Sequence, residues 1–106
     1  MLDGPVCECG PPEKRFLIGF MPEISRFFGI VIGIYWQEHG VPHFHAKYGE
    51  HRASFAMTDL ALLEGRLPPR VAGLVLEWAL LHQVELMENW NLATAKRPLR
   101  EIAPLE

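Results

Sequence analysis

Two cysteines, Cys7 and Cys9, are the only thiols in a chain of 106 residues. Two thiols one residue apart exclude a disulfide scaffold, and the expected compartment is the reducing cytoplasm. A lone Cys-x-Cys pair is also only half of a usual metal site. Long hydrophobic runs are missing: nothing approaches the roughly 18 apolar residues of a membrane span, so no membrane partner is expected. No charged-then-apolar signal segment is visible, since the apolar stretch at residues 16–20 is far too short for one. An excess of basic residues is missing as well. Ten Lys and Arg stand against thirteen Asp and Glu, for a net charge of −3. A general electrostatic affinity for nucleic acid is thereby excluded, whereas a local basic patch is not. There is no glycine-rich phosphate loop, serine nucleophile elbow or zinc-protease helix, and no cofactor is expected. Internal repeats and low-complexity segments are absent.

What is present is an ordinary globular composition, 49% hydrophobic and 22% charged. Such a length holds one modest core. Residues 1–20 carry Asp3-Gly4-Pro5 and Gly10-Pro11-Pro12 and no hydrophobic period, which predicts a poorly ordered N-terminal extension. Residues 21–106 are expected to form a single domain. Residues 27–36 are β-branched, aromatic and almost continuously apolar, which predicts one covered strand. Gly29 and Gly33 interrupt it as a bulge or a close approach.

Pro42 biases Val41 toward extended geometry and opens a second strand at residues 43–48. Gly49-Glu50 suits a type II′ turn into a third strand from His51 to about Met57. In that register Phe44, Ala46, Tyr48, Ala53, Phe55 and Met57 share one side. His43, His45, Lys47, Arg52 and Ser54 share the other, and a slip of one residue would destroy the sorting. Residues 58–67 read as a capped turn and a lead into Pro68-Pro69. That proline pair predicts a helix start. From Pro69 to about Trp90 no breaker appears beyond Gly73, which predicts one long helix. Val71, Leu74, Val75, Trp78, His82 and Leu86 form its core stripe, and Leu76, Leu80, Val84 and Met87 a second stripe suited to a partner or a homodimer. Residues 97–102 add an edge strand or an extended tail. The expected fold is α+β: a small antiparallel sheet, strand plus hairpin, packed on one long C-terminal helix.

The chemistry concentrates at His43-x-His45, two imidazoles about 6 to 7 Å apart along one strand face. Such a pair serves as general acid and base on a phosphodiester. It also offers two ligands to a divalent metal, with His39, Glu38 or Asp59 as candidate thirds. Lys47 and Arg52 lie opposite one another and repel unless an anion bridges them, while Ser54 adds a hydroxyl. The same five side chains also make an acceptable solvated surface. His51 falls on the other face, and His82 reads as a core histidine with a local hydrogen bond. Phe27, Phe28, Tyr35, Trp36 and Trp90 are core residues or stacking platforms for bases.

Several segments carry a resemblance. They are Met21-Pro22-Glu23-Ile24-Ser25-Arg26-Phe27-Phe28-Gly29-Ile30, Tyr35-Trp36, Pro42-His43-Phe44-His45-Ala46 and Tyr48-Gly49-Glu50. To these are added Glu77-Trp78, Glu85-Leu86 and Asn89-Trp90. Over residues 21–105 the chain resembles the domain-of-unknown-function 4160 family of small bacterial proteins. Where members commonly read Asn-Pro-Pro-His-Phe-His, this chain has Gly40-Val41-Pro42 before the same histidine. The resemblance supplies no reaction. The pairing of members with another small gene implies a toxin–antitoxin-type module, with a cognate small protein, RNA or DNA as partner. The functional expectation is therefore a ribonuclease-like component with His43 and His45 catalytic and Lys47, Arg52 and Ser54 on nucleic acid. The alternatives are a non-enzymatic antitoxin-like dimer and a His-x-His metal module.

Overall fold

The computed structural model describes residues 22–35 and 40–106. The readings of Cys7, Cys9, Trp36, Glu38, His39 and the N-terminal extension lie outside these residues. The apolar run does not form a single strand. Phe28 and Gly29 take φ of 51° and 80°, the positive pair of a two-residue type I′ turn. That turn folds β1 (Glu23–Phe27) onto β2 (Ile30–Gly33), with Phe27 paired to Ile30. The predicted strand over 27–36 is therefore corrected to a hairpin that begins earlier.

β3 (His43–Tyr48) and β4 (His51–Ala56) form the predicted hairpin in the predicted register, Tyr48 on His51 through Phe44 on Phe55. At its turn Gly49 has a positive φ of 59° and Glu50 does not, as a type II′ turn requires. A further strand, β5 (Leu62–Arg66), pairs with β4. It replaces the lead-in expected from sequence. Gly65 permits it: with φ of 79°, a Cβ there would sit 2.1 Å from the carbonyl oxygen of Arg52. The result is one five-stranded antiparallel sheet in the order β1-β2-β3-β4-β5.

Two helices follow, α1 (Pro69–Leu81) and α2 (Gln83–Thr94), where sequence predicts one. His82 leaves the helical region at φ −125°. Nothing local breaks the chain there; a tertiary contact does. Gln83 Nε2 donates to the carbonyls of Met57 and Thr58 at 2.9 and 3.1 Å, tying the junction to the turn after β4. The His82 ring lies 5.4 Å from Trp78 and its Nδ1 bonds Glu85, the local bond expected of it. α2 ends with Lys96 at φ 60° and a bond from Arg97 N–H to Leu92 O of 2.8 Å, a Schellman closure.

The core lies between the sheet and the helices. Trp78, fully buried, stands 5.5 Å from Phe27 and 6.1 Å from Phe44, ring to ring, with Phe44 stacked on Phe55. Ile24, Ile30, Ile32, Val75 and Leu86 fill the space around them. Residues after Arg97 form the extended tail. Asn89, 1% exposed, takes the N–H of Arg100 on its side-chain oxygen and gives its NH₂ to the same residue's carbonyl, both at 2.8 Å. Ile102 N–H donates to Ile24 O, and Trp78 Nε1 donates to Ala103 O. These bonds satisfy polar groups that burial would otherwise leave at a cost. Among the described residues no helix is long and apolar enough to cross a membrane.

Candidate functional site

Directly paired residues of neighbouring strands share a face, so the register alone lays out the side of the sheet away from the core. One row runs Arg26, Val31, Lys47, Arg52, Arg66 across all five strands. The next on that face runs Glu23, Gly33, His45, Ser54, Glu64. The first row has four cations, all exposed. The second is acidic at its ends, with a histidine and a serine near its middle. All of these but Gly33 and Arg66 line a shallow depression of about 710 Å³, which Tyr35 also borders.

The charges are unevenly balanced. Arg26 makes a two-pronged pair with Glu23, both N–O distances 2.9 Å. The Arg26 hydrogen bond holds the Glu23 carboxyl below the usual carboxylate range, and the same bond raises the Arg26 guanidinium. The other ion pair among the described residues is His82–Glu85, on the helices. Lys47, Arg52 and Arg66 thus sit side by side without a carboxylate against them. Neighbouring like charges across strands are unfavourable unless something negative lies between them.

The histidines occupy the end of the same face. His43 and His45 are half-buried, with ring centroids 5.1 Å apart. Tyr35 lies 4.6 Å from His45, nearly edge-on at 79°, and Trp90 of α2 lies 5.3 Å from His43. His43 Nδ1 is 2.8 Å from Val41 O. A carbonyl only accepts, so that nitrogen carries a proton and the neutral ring keeps its lone pair on Nε2. Tyr35, His45, His43 and Trp90 are therefore in successive ring-to-ring contact, with Trp90 reaching His43 from the helix side.

The structure brings His43, His45, Lys47, Arg52 and Ser54 onto one face, with Ser54 buried in its floor at 5% exposure. Sequence reasoning missed Arg26, Arg66, Glu23 and Glu64, because β1 and β5 went unread as strands. β5 carries no alternation to mark it, since all its residues are exposed. Asp59, a candidate metal ligand, instead accepts the Ala61 N–H at 3.1 Å in the turn before β5. Among the described residues no group of three His, Cys, Asp or Glu is placed to hold a metal. The proposed partner stripe divides. Leu80 and Val84 are 65% and 73% exposed on either side of the helix junction. Leu76 and Met87 pack partly against the core. Of the aromatics, Phe27 and Trp90 are core residues, whereas Phe28 is 59% exposed.

No curated protein and no solved structure matches the chain. A family model does: the domain of unknown function (DUF4160) matches residues 29–91. That span is shorter than residues 21–105. It takes in β2 through most of α2, including the histidine pair, Lys47, Arg52 and Arg66, and leaves out β1 with Glu23 and Arg26. The chain belongs to the DUF4160 family.

Proposed function

We propose that the open face of the sheet holds the phosphate backbone of RNA, as a ribonuclease-like component of a toxin–antitoxin-type module. The observation that carries this reading is the row Lys47, Arg52, Arg66, three adjacent cations that make no ion pair among the described residues. A polyanion across them removes their mutual repulsion and adds charge-assisted hydrogen bonds. His45, one row away, takes the proton of a ribose 2′-hydroxyl. The 2′-oxygen attacks phosphorus, the bond from phosphorus to the 5′-oxygen breaks, and protonated His43 delivers a proton to that leaving oxygen. The products are a 2′,3′-cyclic phosphate and a 5′-hydroxyl, and no metal is needed. Incubation of purified protein with RNA, beside a His43→Ala/His45→Ala variant, tests this. The expected result is cleavage by the wild type, retained binding and lost cleavage in the variant. Equal cleavage by both, or none by either, sinks the enzymatic reading.

A second reading, a non-enzymatic antitoxin-like dimer, draws on the exposure of Leu80 and Val84. Under it the wild type has twice the chain mass in solution and Leu80→Glu reverts to a monomer. A wild-type monomer ends it.

A further inference from the structure

Phe28 stands in a position that folding disfavours twice. It is the first residue of the type I′ turn between β1 and β2, at φ 51°, where asparagine or glycine is the usual occupant. A bulky side chain there strains the backbone, and such strain collects at functional positions. The ring is also 59% exposed, and it is the one exposed Phe, Tyr or Trp ring among the described residues.

Its surroundings give it a use. Arg26 precedes it by two residues, and the Gly49-Glu50 turn closes at the same end of the sheet, two residues past Lys47. Gly29, its neighbour in the turn, lines the depression that Lys47 and Arg52 border. The ring meets Phe27 edge-on at 6.2 Å and is otherwise open to water, at the end of the sheet that carries Arg26 and Lys47. Cations that follow a backbone and a ring that stacks on an unpaired base are the pairing used for single-stranded nucleic acid. Duplex bases are already stacked on each other and present no open ring face. A membrane surface fits less well, because one ring is a weak anchor.

We infer that Phe28 is a base-stacking residue and that the ligand of the open face is single-stranded. This rests on the phosphate-binding reading above and goes beyond it in naming the strand state. The test measures the anisotropy of a labelled 12-nucleotide single-stranded RNA, its duplex and inorganic polyphosphate, with wild type and Phe28→Asn. The wild type is expected to prefer the single strand. Phe28→Asn is expected to weaken that complex roughly tenfold, leave polyphosphate binding unchanged, and melt at the same or a higher temperature, because asparagine suits the turn. Loss of RNA affinity together with a lower melting temperature overturns the inference, since the ring would then be structural. So does equal single-strand affinity in both proteins, or equal wild-type affinity for duplex. Those outcomes leave the phosphate reading standing, whereas no wild-type binding to RNA or polyphosphate removes both. Sedimentation with phosphatidylserine vesicles that depends on Phe28, without any change in RNA affinity, overturns it in favour of a membrane contact.

Discussion

The two faces of the sheet are built from the same strands on opposite rules. On the inner face Phe44, Ala46, Ala53 and Phe55 are buried under Trp78, Val75 and Leu86, and each touches apolar neighbours. On the outer face Lys47, Arg52 and Arg66 are exposed and adjacent, and the sheet gains nothing from bringing them together. The inner face thus explains why the chain folds. The outer face has charges that folding does not call for, which makes it the place to look for a ligand.

The largest effect that separates the two faces comes from Phe44→Ala. Phe44 has no exposed surface and stacks on Phe55 and against Trp78. Truncation removes apolar contact and leaves a cavity, for a loss of about 3–5 kcal/mol. That is a large part of the stability of a domain this size, so chemical denaturation should show a variant unfolded or nearly so. Lys47→Ala, three residues along the same strand on the other face, should stay within about 0.5 kcal/mol of the wild type. Comparable losses from both substitutions would mean that Lys47 is part of the packing.

Legibility in the sequence follows the same division. The β3–β4 hairpin was readable to the residue because one face is strictly apolar and a glycine marks the turn, so only one register keeps Phe44 and Phe55 inside. The β1–β2 turn was not, because the residue at its first position is phenylalanine, which reads as continuing the strand. β5 was hidden for a related reason. All its residues are exposed, so no alternation marks it, and its Gly65 reads as a breaker although it allows close approach to Arg52. The helix break at His82 leaves no local trace, since Gln83 makes it by bonding carbonyls some 25 residues away in sequence. At the site, His43, His45, Lys47, Arg52 and Ser54 were visible from alternation alone. Arg26 and Arg66 needed the two missed strands before they could join the row.

A smaller effect, of opposite sign, sharpens the contrast. Arg52 lies between Lys47 and Arg66 in the row, so neutralising it relieves repulsion on both sides. Arg52→Gln should raise stability by about 0.2–1 kcal/mol at low salt. The gain should shrink as salt is added, because exposed charges are screened over about 10 Å at 0.1 M. The same variant should bind RNA more weakly and with a shallower salt dependence, by about one phosphate contact. A residue that lowers stability while raising affinity is the mark of a ligand-facing charge. If Arg52→Gln is less stable than the wild type, the row is held by contacts within the sheet and the outer face loses its main argument.

The smallest effect concerns the end of the row where the charge is already balanced. Glu23 has its carboxyl held below the usual range, first by the hydrogen bond from Arg26 and then by that group's charge. A carboxylate whose folded pKa is depressed adds stability above its unfolded pKa, and that stability is lost as pH falls through the folded value. The pair is largely exposed, with side chains 62% and 41% accessible for Arg26 and Glu23, so solvent screens most of its strength. Glu23→Gln should therefore melt slightly below the wild type near pH 7, and the two curves should merge in acid, below the folded carboxyl pKa. Freed from Glu23, Arg26 becomes a fourth unpaired cation in the row, so the same variant should bind RNA at least as tightly as the wild type. The pair then acts as an end stop that confines the unbalanced charge to β3, β4 and β5. Weaker RNA binding by Glu23→Gln would show instead that the carboxylate positions Arg26 for the ligand, and the boundary between the balanced and unbalanced parts of the face would have to move outward to β1.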